Sequence, residues 1–317
     1  MERIFAFHRA VAPLIMEAVV LGFFSLILFL ATSLVPIVGF ALSLFAPLPL
    51  TLLSVRRGLA GGVLGLLFLF LLLALSSSLL RAVSFLLEFG GVAVILGEGI
   101  RREWGGERAV LLGALGSGAG TSLLLLIHML RFRVGLSDLI DKQITERLLE
   151  LREIFAKAGA APTSWDSLEH FLLQSYPALL FLSILFAAIL NYYLARRIRG
   201  WRNPDAKQKD RPFSDWSIPE YWVWGFIFSL LLYLLPTPYK LVGLNLLLIS
   251  SGLYLLQGMA ISLTFLRRWH LPTLLKVSIF LFALSQPVFL LLFAGIGLFD
   301  VWGNFRRGLS GKSTSEG

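Results

Sequence analysis

The chain has 317 residues, 57% apolar and 15% charged, with 26 Phe, no Cys and a formal charge of +9. A soluble domain is about 45–50% apolar and about a quarter charged, so this composition is that of a membrane protein and not of a soluble enzyme. Without Cys there are no disulfides, thiolate metal sites or cysteine nucleophiles.

The apolar residues fall in continuous runs of about 20, the length that crosses the hydrocarbon core as a helix. They do not alternate, which excludes a transmembrane barrel. The expected fold is all-α, a polytopic transmembrane bundle of eight or nine spans.

Span one covers about Leu14 to Leu34, and span two, with Pro47 and Pro49, about Ile37 to Ser54. Arg56-Arg57 separates it from span three, which opens at Gly58 and runs to about Leu75. Spans four and five cover about Leu79 to Leu96 and Ala109 to Leu130. Between residues 131 and 175 lies an amphipathic external insert. In it Leu136, Ile140, Ile144, Leu148, Leu151 and Phe155 recur at helical spacing, and the helix ends near Gly159. Thr163 and Asp166 suggest a capping box for a second short helix.

Span six covers about Tyr176 to Ala195 and completes a core over residues 1–195. A basic linker, 196–220, follows: Arg196, Arg197, Arg199 and Arg202 lead to Lys207, Lys209 and Arg211. C-terminal membrane helices occupy 221–305. Span seven reaches Leu235, span eight is about Leu241 to Leu266, and span nine is about Leu274 to Phe299 with Pro287 kinking it. Residues 306–317 read as a disordered tail.

Dense Lys and Arg at span ends stay cytoplasmic. With the N-terminus cytoplasmic, that side collects the larger share of the 28 Lys and Arg. The basic residues therefore set topology and meet the bilayer and its anionic head groups, not nucleic acid. Nine spans leave Arg306 and Arg307 outside, against this rule. The expected location is the bacterial inner membrane.

Ionisable groups inside spans are costly and are functional-site candidates. Arg81, Ser84 and Glu88, at i, i+3 and i+7, share a face of span four and would line an outward-facing cavity where Glu88 meets a cation or amine. Thr121 and His128 share a face of span five at the same end. Glu17 lies near the cytoplasmic end of span one, where it can snorkel. The pairs Ala18/Gly22, Gly58/Gly62, Gly61/Gly65 and Gly116/Gly120 allow close helix approach, within the chain or to a partner. Gly116 to Gly120 lacks the Lys-Ser/Thr of a phosphate loop. Ser250 and Gln257 share a face with Gly243, Asn245 lies off it, and these read as polar glue. The four His stand at no metal-ligand spacing, and no catalytic set or cofactor motif is present.

Pro47-Leu-Pro49 to Gly58, Trp216-Ser-Ile-Pro-Glu220, Gly243-Leu-Asn245, Leu256-Gln-Gly258 and Gly297-Leu-Phe-Asp300 to Phe305-Arg306 resemble the YybS-like family of bacterial membrane proteins. That likeness covers nearly all of the chain and implies no activity. The first six spans are also similar to the S-components of energy-coupling-factor vitamin transporters. This second resemblance implies a six-helix solute-binding core that meets a coupling subunit through Ala18/Gly22. The insert and the three later spans have no counterpart there.

Two functions are expected from these features. The first is a solute-binding or transport-related protein, with no enzymatic activity. The second is a scaffold for envelope or division proteins, acting through the small-residue faces and the basic linker.

Overall fold

The computed structural model describes residues 2–34, 36–157, 159, 164–202, 212–268, 272–303 and 305, among which there is no strand. The helices are α1 Glu2–Leu34, α2 Pro36–Ser43, α3 Leu48–Ser76, α4 Leu79–Phe85, a π turn Leu86–Gly90, α5 Gly91–Arg101 and α6 Gly106–Phe132. They continue as α7 Leu136–Lys157, α8 Trp165–Arg202, α9 Trp222–Tyr233, α10 Tyr239–Arg268, α11 Thr273–Leu284 and α12 Pro287–Gly303.

Six stretches among the described residues are long and apolar enough to cross a membrane: Ala12–Ala31, Ala41–Ser76, Leu79–Arg101, Gly106–Phe132, Trp165–Trp201 and Tyr239–Leu266. The distribution of polarity is inverted relative to a soluble protein. Leu75 is 87% exposed, while Ser25, Thr51 and Asn191 are wholly buried. Lipid, not water, is the solvent for which such an outer surface is suited.

The chain forms two compact units, residues 1–142 with 183–210, and residues 143–182 with 211–317. The chain passes between the units after residues 142, 182 and 210, the last of these within the basic block.

In the first unit, α1 packs on α2 and α3, α3 on α5, and α5 on α6. Leu26, Leu50, Leu53, Leu69, Phe85 and Ala93 are among its core residues. The boundary expected at Arg56-Arg57-Gly58 is a chain reversal inside α3. Gly58 has φ +72° and ψ −169°, a conformation open to Gly because it lacks a Cβ. Beyond it the helix doubles back, so that a Cβ on Gly65 would come 2.9 Å from Leu50 and 2.6 Å from Leu53. A straight helix would hold residues 50 and 65 about 22 Å apart. Residues 48–57 and 59–76 are thus two antiparallel arms. Helix α2, the turn at residues 44–47 and the first arm together make one interrupted span.

In the second unit, α10 packs on α9 and α12. A Cβ on Gly258 would strike the Phe293 carbonyl, and one on Gly297 the Tyr254 carbonyl, so α10 and α12 cross almost backbone to backbone. Asn245 of α10 reaches into α8 beside Pro177. Its Oδ1 accepts from the Ala178 N–H at 3.0 Å and its Nδ2 donates to the Gln174 carbonyl at 2.9 Å. In an unbroken helix those two backbone groups would bond each other. The side-chain amide occupies both where the proline ring disturbs the ladder.

Three expectations change. Span nine is not one kinked helix but two, α11 and α12, interrupted at Ser285-Gln286 before Pro287. Phe280 and Phe293 meet at 5.9 Å between ring centroids, and Phe282 and Phe289 at 6.3 Å. A straight helix would set the first pair about 20 Å apart along its axis. Span seven is the 12-residue α9, too short to cross a bilayer alone. Finally, Asp166 opens no separate short helix, because α8 is continuous from Trp165 to Arg202 and includes the first four arginines of the basic block. Thr163, Lys207, Lys209, Arg211 and residues 306–317 lie outside the described residues.

Candidate functional site

Glu88 occupies the π turn between α4 and α5. Such a turn bonds i to i+5, taking one more residue than an α-helical turn, and π turns recur at functional sites. It shifts Glu88 out of strict α-helical register with Arg81 and Ser84, so their i, i+3, i+7 alignment is only approximate. Counting axial rise, Glu88 lies about 14 Å from Leu79 and about 20 Å from Arg101, near the middle of the span.

Helix α6 holds this turn in place. Ser117 Oγ donates to the Glu88 carbonyl, and a Cβ on Gly120 would strike the Leu87 carbonyl. Gly116 faces Ile95 and Gly113 faces Val92 and Leu96, so α6 runs antiparallel to α4 and α5 with little separating them. On the other side Phe29 of α1 packs edge-on to Phe85 at 5.1 Å and meets Phe89 at 5.9 Å. The backbone of the turn is thus fixed from two sides. The Glu88 carboxylate has no hydrogen-bond or ion-pair partner among the described residues.

Arg81 is exposed in the first turn of α4, its N–H donating to the capping Ser78 at 3.2 Å. Ser84 and Thr121 are half-buried. His128 stacks against Phe132 at 4.7 Å. The antiparallel register puts His128 level with the start of α4. Among the described residues, no bond joins Arg81, Ser84 or Glu88 to Thr121 or His128.

A second polar locus is the break at residues 44–47, where neighbouring side chains cover the freed carbonyls. Ser25 Oγ of α1 donates to the Ala46 carbonyl. Asn191 Nδ2 of α8 donates to the Leu44 carbonyl at 2.7 Å and to its own Ala187 carbonyl at 2.7 Å. Thr51 and Ser54 donate to Pro47 and Leu50, each at 3.0 Å. In hydrocarbon this is how an interrupted helix is tolerated.

The basic residues gather at one end of the same unit. Arg57 donates twice to Glu17, at 3.0 and 3.1 Å. The buried Glu98 binds Arg101 at 3.1 Å and also Arg102. The Arg101 guanidinium lies over Gly58, within 3.1 Å of where a Cβ would stand. Arg199 donates to the Ile100 carbonyl, Arg196 to the Tyr192 hydroxyl at 2.6 Å, and Arg197 lies over the Trp201 ring at 5.8 Å. Arg202 is helical, and its side chain lies outside the described residues.

The small-residue pairs sit at helix contacts within the chain. Ala18 is buried in the core, and a Cβ on Gly22 would come 2.9 Å from Phe68 of α3. Gly62 faces Ser54 across the α3 reversal.

In the second unit, four of the stretches behind the YybS-like resemblance supply its main contacts. The buried Gln257 accepts from the Ile218 N–H at 2.9 Å and donates to Asp300 at 3.1 Å. The other Asp300 oxygen accepts from the Phe305 N–H at 2.8 Å. Asn245, Gly258 and Gly297 make the contacts described above.

Ser117, Ser25 and Asn191 have roles that spacing alone does not reveal. Of the three, Asn191 is the most legible, as an amide inside an apolar run. The two serines give no such sign.

These helices, their apolar outer faces and the polar groups held within them define a polytopic helical membrane protein. A family model described as "Predicted membrane protein (DUF2232)" matches residues 23–301, and the chain belongs to that family. No curated protein and no solved structure matches the chain. Neither the YybS-like name nor the S-component likeness comes from these comparisons.

Proposed function

We propose that the chain is a solute-binding or transport-related membrane protein in which Glu88 meets a cationic or amine solute. The observation that carries this reading is a mid-span carboxylate without a partner among the described residues, on a backbone turn that Ser117, Gly120 and Phe29 hold still. An acidic residue at that depth costs about 2.5–3.5 kcal/mol on insertion scales. A group retained at that cost without a protein partner is suited to a partner from outside. The interrupted helix at residues 44–47 adds support, since solute sites in transporters are commonly built at discontinuous helices. Gathering of Arg57, Arg101, Arg102, Arg196 and Arg199 at one end supports a cytoplasmic N-terminus in a bacterial inner membrane.

The test uses the purified full chain melted against a panel of amines and amino acids. Stabilisation by at least one compound, lost in Glu88→Gln and kept in Glu88→Asp, is the expected result. If every stabilising compound works equally well on Glu88→Gln, the site is wrong. A phenotype that instead follows Ala18, Gly22 and the basic block would favour the scaffold, with a coupling-subunit or envelope protein as its partner.

A further inference from the structure

We infer that the break at residues 44–47 is a binding site for a dehydrated alkali-metal cation, with Asn191 Oδ1 as its uncommitted ligand. Asn191 is wholly buried, and both of its side-chain hydrogen bonds among the described residues use Nδ2. Turning the amide over would set its oxygen against the Leu44 and Ala187 carbonyls, so the assignment is fixed by its neighbours. Among the described residues, Oδ1 is consequently a buried acceptor with no hydrogen-bond partner. Leaving such a group unmatched costs about 1–3 kcal/mol.

What surrounds it decides what can match it. The Leu44 and Ala46 carbonyls, freed by the turn, each take one side-chain hydrogen bond and keep a spare lone pair, whereas the Ala187 carbonyl is filled by Nδ2 and its own helical N–H. The donors at the break, Ser25 Oγ–H and Asn191 Nδ2, are already engaged on those carbonyls. The site is therefore rich in neutral oxygen acceptors with its donors used, the ligand chemistry of a hard cation. The C-terminal end of α2, the negative end of its dipole, opens onto the same place. Counting axial rise, Ser25 is about 12 Å from Glu17, and Asn191 about 12 Å from Arg199. The locus therefore lies well inside the membrane, away from the basic end, where a neutral cage avoids the cost of a buried carboxylate.

Glu88 is no part of this site. Purified full-length protein would be melted in sodium, potassium and choline chloride at equal ionic strength. Sodium or potassium should raise the melting temperature over choline by about 2 °C at tenfold excess over the dissociation constant. Asn191→Leu should abolish that difference, Asn191→Asp should keep or enlarge it, and Glu88→Gln should leave it intact. Should Asn191→Leu fail to fold, sodium NMR line broadening on the wild-type chain, reversed by potassium but not by choline, serves in its place. Equal melting in all three salts, or an alkali-cation shift that survives Asn191→Leu, overturns the inference. Absence of line broadening does the same.

Discussion

Both units interrupt helices in apolar surroundings, and they treat the freed groups differently. In residues 143–182 with 211–317, the break in the hydrogen-bond ladder of α8 at Pro177 is filled by Asn245, whose oxygen and nitrogen are both bonded. Gln257 and Asp300 likewise engage both ends of their side chains. In residues 1–142 with 183–210, the interruptions at 44–47 and 86–90 are held by Ser25, Asn191 and Ser117, yet acceptors remain: Asn191 Oδ1 and the Glu88 carboxylate. The Tyr254 hydroxyl and the Arg152 Nε, buried without a hydrogen-bond partner among the described residues, are exceptions in the closed unit. Polar groups in a membrane interior can fasten helices or receive a ligand. Valence left over is what separates the two uses.

The closed unit is most vulnerable where α10 and α12 cross. Gly258→Leu sets a side chain against the Phe293 carbonyl with no flexible neighbour to yield. We expect no folded protein, seen as a lost monodisperse peak in size-exclusion chromatography. Next comes Gln257→Leu, which strips the Ile218 N–H and one Asp300 oxygen of their partner. It should destabilise by about 2–3 kcal/mol in reversible denaturation. Asn245→Ala should cost about 1–2 kcal/mol, within the range for interhelical hydrogen bonds in membranes.

Glu88→Gln sharpens the contrast from the other side. Removing a charge without a partner should leave the melting temperature unchanged or raise it, while solute response is lost. If it destabilises the protein as Gln257→Leu does, Glu88 is fastening helices and the contrast fails. The smallest effect belongs to Arg57→Gln. Its pair with Glu17 is about a third exposed on each side chain, so the melting temperature should be nearly unchanged and insensitive to salt.

Much of the architecture was legible in the sequence because lipid imposes a simple rule. Runs of about 20 apolar residues must become helices, since no water is present to bond an open backbone. That rule gives the long apolar helices, while helical spacing gives the amphipathic helix from Leu136 and the Arg56-Arg57-Gly58 sequence marks the turn in α3. The rule also gives Glu88 as a charge in need of a reason. Length and hydropathy carry no information on where a helix folds back, so α11 and α12 read as one span. A π turn leaves no composition signal, and an ordinary serine such as Ser117 or Ser25 looks the same whether or not it caps a distant carbonyl. Asn191 and Asn245 are both amides in apolar runs, alike in sequence. Only the tertiary structure shows that one is fully bonded and the other keeps an acceptor open, because bonding depends on which backbone the fold brings alongside.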